Sequence, residues 1–94
     1  MVFSHNDGLL VLKALDILHN EFSLIKSEVP PHLFKRIESL KTRFRLGVSG
    51  FSYAEMDTVC AAIEALLEHE PMNWAACQLL SRLQSYLQES DIQM

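Results

Sequence analysis

Apolar residues recur every three to four positions along almost the whole chain, the spacing of helices that each bury one face. No stretch shows the period-two alternation of a half-buried strand. Breakers divide the pattern into four segments. The first begins at about Asn6, with Ser4 or Asn6 as its cap, and is expected to reach Glu28, because Val29 before Pro30 is pushed out of the helical region. Pro31 suits the first turn of a second helix over 31–46, and Gly47 supplies the left-handed exit. Ser52-Tyr53-Ala54-Glu55 reads as a capping box, with Phe51 and Met56 placed as a hydrophobic staple, and predicts a third helix over 53–69. Asn73 caps a fourth, over 74–89, with Ser90–Met94 expected to fray. The connections are short, which favours antiparallel neighbours. The expected fold is all-α: a small antiparallel four-helix bundle of two stacked helical hairpins, in a single domain over residues 1–94.

The faces of these helices differ. On the first, Leu10, Val11, Ala14, Leu15, Ile17, Leu18, Phe22, Leu24 and Ile25 form an arc wider than the roughly 100° that one neighbour covers, so it is expected to touch more than one helix. Leu9 and Leu12 fall outside that arc, and Glu21 falls inside it, where a basic partner is expected. The second helix has a narrow seam of Leu33, Ile37, Leu40 and Phe44; the third has Met56, Val59, Cys60, Ile63, Leu66 and Leu67. Beside the latter seam, Ala54, Ala61 and Ala65 make a small-residue strip that lets another helix approach closely. On the fourth, Ala75, Ala76, Leu79, Leu80, Leu83, Tyr86 and Leu87 face inward, opposite an almost uncharged polar face.

Composition narrows the class. The 94 residues are 49% hydrophobic and 21% charged, too apolar for a disordered tail and long enough for one modest core. No apolar run approaches the roughly 20 residues of a bilayer crossing, and residues 1–8 have no basic stretch leading an apolar one, so neither a membrane span nor a secretory leader is expected. With only Cys60 and Cys77, a cytoplasmic, reducing setting is expected. In an antiparallel hairpin turning near Glu70–Met72 these two thiols are offset by about 9 Å along the axis, too far for a disulfide.

Net charge is −4, but it is uneven. Residues 29–50 hold Lys35, Arg36, Lys41, Arg43 and Arg45 against one acid, while the flanking segments are acidic. A basic helix between acidic ones is explained most economically by internal pairing. The alternative is a basic patch for nucleic acid.

Catalytic and metal chemistry find no pattern. His5, His19, His32 and His69 fall singly on separate segments, and no H-x-x-x-H, H-E-x-x-H or C-x-x-C pair occurs. Gly47-Val48-Ser49-Gly50 lacks the lysine and spacing of a phosphate loop. No cofactor, metal site or catalytic residue is expected.

Two short resemblances touch function. Leu46-Gly47-Val48-Ser49 resembles the turn of helix-turn-helix proteins, but Arg43 stands where that family has a small residue. The following helix carries Glu55, Asp57, Glu64 and Glu68 with no Lys or Arg, which repels phosphates. Residues 65–76 (ALLEHEPMNWAA) resemble the junction between successive tetratricopeptide units, over about twelve residues and without a 34-residue period. That resemblance implies a small helix- or peptide-binding chaperone. The leading expectation is a non-enzymatic protein–protein interaction module, an adaptor, chaperone or inhibitor, binding a protein partner or a second copy of itself through Leu9, Leu12, Ala54, Ala61, Ala65 and Trp74. Nucleic-acid binding by the second helix is the rival from another class.

Overall fold

A computed structural model describes residues 3–48 and 50–92. Four α-helices occur in the order α1 (His5–Leu24), α2 (Pro31–Leu46), α3 (Tyr53–His69) and α4 (Trp74–Ile92), with a short 3₁₀ turn at Lys26–Glu28. Ser49 of the connecting turn, and Gln93 and Met94 of the expected frayed end, lie outside the described residues.

Local chemistry sets the boundaries. Ser4 caps α1 through a reciprocal pair, its hydroxyl accepting from the Asp7 backbone N–H while the Asp7 carboxylate accepts from that of Ser4. Ser52 and Glu55 do the same for α3. Pro31 opens α2, and Gly47 closes it at φ 71° in the left-handed region. Asn73 caps α4 by accepting from the Ala76 N–H at 3.1 Å. Two ends differ from expectation. The first helix stops at Leu24 rather than Glu28, because Ile25 (φ −123°, ψ 37°) leaves helical geometry and the chain tightens into the 3₁₀ turn. The last helix continues past Glu89 to Ile92.

Within each hairpin the helices are antiparallel. Phe3, just before α1, meets Phe44 at the end of α2, while Phe22 near the end of α1 meets Phe34 near the start of α2. Between hairpins, α1 and α3 run in the same sense: Phe3 meets Phe51 where they begin, and Glu21 meets His69 where they finish. The hairpins therefore stack through their first helices. The α1–α3 seam is the most extensive, followed by α3–α4 and α1–α2, whereas α2 and α3 share little packing.

This makes α3 the central helix. Met56, Val59, Cys60, Ala62, Ile63, Ala65 and Leu66 are all buried, a wider face than the sequence seam, because α1 and α4 cover different sides of it. Val11, Leu15, Ile37, Leu40, Leu79 and Leu83 complete the core. Four expected core residues lie outside it: Leu24 and Ile25 project where α1 ends, Leu33 is half-buried near the start of α2 without joining the core, and Ala75 is exposed in the first turn of α4. Cys60 is buried, Cys77 half-buried, and both are free thiols. No described helix is long and apolar enough to cross a membrane.

Candidate functional site

The stacking of α1 on α3 brings three phenylalanines together at one end. Phe44 and Phe51 stack with ring centroids 4.8 Å apart and planes 10° from parallel, and Phe3 meets both edge-on at 5.1 and 5.9 Å. Arg43 lies over the Phe51 ring, 4.5 Å from its centroid, and binds both the Glu55 carboxylate and the Gly50 carbonyl. Above these rings runs a groove of about 620 Å³, bounded on one side by Gly8, Leu9 and Leu12 of α1 and on the other by Leu46 and Val48. Leu9 is 55% exposed and Leu46 73%, and Val48 is exposed as well. His5 and Arg45 are the basic residues on its rim. The left-handed conformations of Gly47 (φ 71°) and Gly50 (φ 88°) turn the chain here and set the second wall.

The expected partner-binding residues do not share one surface. Leu9 and Leu12 line this groove. Ala54 and Ala61 are exposed on α3, whereas Ala65 is buried, so the small-residue strip is split: its C-terminal member has already been taken into the core. Trp74 is 74% exposed at the other end, beside Met72 at 91% in the α3–α4 turn. Leu24, at 86%, belongs to that same end, since Glu21 and His69 meet there at 3.1 Å. The Glu21 carboxylate thus lies against the His69 imidazole rather than beside a Lys or Arg.

The five basic residues of α2 also separate. Lys41 is only 9% exposed, its ammonium 2.8 Å from Asp16 and 3.7 Å from Glu38. Arg43 is engaged as described, and Arg36 donates to the Thr58 hydroxyl at 3.4 Å. Among the described residues, Lys35 and Arg45 have no ion pair. They stand ten residues apart, about 15 Å along the helix. The internal pairing of α2 with α1 and α3 is therefore real, and it uses Lys41 and Arg43.

Other ionisable groups serve the fold. Burial works to raise the Asp7 pKa, but the Ser4 backbone N–H and the Arg82 guanidinium at 2.9 Å together hold it below the usual value. The Ser52 backbone N–H, with the Ser52 hydroxyl and then Arg43 adding to it, holds Glu55 below its usual value too, against the opposing effect of burial. Burial pushes the Cys60 thiol up to about 11, with Asp57 and Glu64 adding to the effect. Among the described residues, no three His, Cys, Asp or Glu side chains gather as metal ligands would. Sequence reasoning missed Phe3, Phe44, Phe51, Leu46 and Val48 as a surface; the off-arc Leu9 and Leu12 were its one visible sign.

No protein-family profile, curated protein or solved structure matches the chain.

Proposed function

We propose that this protein is a non-enzymatic interaction module, working in the cytoplasm, that seats an apolar segment of a protein partner in the groove above Phe3, Phe44 and Phe51. The observation that supports this most is the groove itself: exposed Leu9, Leu46 and Val48 stand around an aromatic floor on a chain with few residues to spare for an idle apolar surface. Gly8 adds to it. A glycine inside a helix costs about 1 kcal/mol relative to alanine, and a Cβ there would meet nothing closer than Phe44 at 3.9 Å, so packing does not demand it. It keeps the α1 wall of the groove low. The exposed Met72 and Trp74 offer a second contact area at the far end. The tetratricopeptide-like reading is a narrower form of the same proposal, and the same-sense stacking of α1 on α3 supports it, since any tandem array of hairpins repeats its first helix in one direction.

Affinity capture from the native host, with the wild type and a Leu9→Glu/Leu12→Glu variant, tests the proposal. A protein recovered in stoichiometric amount by the wild type, and lost by a variant of unchanged helicity and melting temperature, supports it; light scattering separates a foreign partner from a second copy. A monomeric wild type that recovers nothing, or a variant that recovers the same protein, refutes it.

A further inference from the structure

Two cations that take part in no ion pair among the described residues line one cavity at the α1–α2 junction. The chain has eight Lys and Arg against twelve Asp and Glu, and among the described residues four of the eight, Lys26, Lys35, Arg36 and Arg45, hold no carboxylate. Lys13, Lys41, Arg43 and Arg82 each hold a carboxylate. Among the described residues Lys26 and Lys35 hold none, although they belong to different elements, and both line one cavity of about 420 Å³. Of the neighbouring acids, Glu38 is occupied by Lys41 and His19, and Glu28 is not among the lining residues. The rest of the wall is mostly apolar: Val29, Pro31 and Phe34. Phe34 is fixed in place, edge-to-face with His19 at 5.8 Å and with Phe22 at 6.2 Å.

A preformed apolar wall with two cations at its rim, in a volume within the range of small-molecule sites, fits one class of ligand. We infer that this cavity binds a small amphipathic carboxylate, its apolar body against Phe34, Val29 and Pro31 and its anionic head between Lys26 and Lys35. The site is separate from the groove above Phe3, Phe44 and Phe51, which lies at the other end of α2. An anion there repays nothing in lost internal pairing, because neither lysine must first leave a protein carboxylate. Two exposed charges supply modest, salt-screened attraction, so binding weakens as ionic strength rises.

The experiment is a titration followed by amide chemical shifts, using 4-phenylbutyrate and 4-phenylbutanol, which share an apolar body and differ in the charged head. The carboxylate is expected to bind about tenfold more tightly than the alcohol and to shift the amides of Lys26, Val29, Phe34 and Lys35. In Lys26→Gln/Lys35→Gln that preference disappears at an unchanged melting temperature, since both side chains are exposed. Equal affinity for the two probes in the wild type overturns the inference. So do shifts centred on Leu9, Leu12 and Phe44, an undiminished preference in the double variant, or no shift at millimolar probe.

Discussion

Replacing Arg43 by methionine separates a basic residue that builds the fold from one that merely decorates it. The guanidinium binds Glu55, donates to the Gly50 carbonyl and covers the Phe51 ring, and the two charged side chains are only 27% and 20% exposed. A charge-assisted hydrogen bond in such a half-buried place contributes about 1.5 kcal/mol, and the cation–ring contact about 0.5 kcal/mol more. Arg43→Met is thus expected to cost about 2 kcal/mol, lowering the melting temperature by roughly 8–16 °C at this chain length. Lys35→Gln and Arg45→Gln, by contrast, stay within about 0.5 kcal/mol. The acid limb adds an independent readout. The Glu55 pKa lies below its ordinary 4.5, so its contribution is complete above that value and is lost as pH falls through the lower folded-state pKa. Melting curves from pH 7 to pH 3 should therefore show a smaller acid loss in Arg43→Met, with a remainder due to the Ser52 backbone N–H that the variant keeps. A melting temperature within about 2 °C of wild type, which corresponds to under 0.5 kcal/mol, refutes the assignment.

Three further outcomes follow from the packing. Ile63 is fully buried in the central helix, and Ile63→Ala is expected to cost about 2–5 kcal/mol, read as a lower urea midpoint at unchanged slope. With its pKa near 11, Cys60 is about one part in a thousand thiolate at pH 8, so a thiol reagent should label half-buried Cys77 first and Cys60 only as the chain opens; equal labelling rates would contradict the burial. Gly8→Ala is expected to raise stability by about 1 kcal/mol and, on the proposed function, to weaken capture of the proposed partner; a destabilised variant would show that the glycine is needed for packing instead.

Where one short segment holds the whole signal, the fold is legible in the sequence. The limits of α2 and α3 follow from Pro31, Gly47 and the Ser52–Glu55 box, all of them local chemistry, and both helices occupy the expected residues. The end of α1 is not local in this way. Pro30 marks the latest place the helix can stop, but Leu24 and Ile25 have no neighbour to bury them and the helix gives way earlier. The Ala54/Ala61/Ala65 strip fails for a related reason: which of these alanines is covered depends on how α1 and α4 divide the surface of α3. The groove is the least legible feature. Its floor joins Phe3, Phe44 and Phe51 from three parts of the chain, and only the same-sense stacking of α1 on α3 brings them together.

Charge and groove turn out to be one problem. Apolar packing holds α2 to α1, but α2 and α3 share little of it, and beside the Phe44–Phe51 stack two polar contacts span that gap: Arg36 to Thr58 near the start of α2, and Arg43 to Glu55 near its end. The groove has walls on both sides of the gap, since Phe44 and Leu46 come with α2 while Phe51 leads into α3. The Phe44–Phe51 stack and the Arg43–Glu55 ion pair, rather than a close-packed helix seam, therefore hold its two sides together. The basic segment that most suggested nucleic acid thus does much of its work inside the protein, fixing the surface on which the proposed partner would sit.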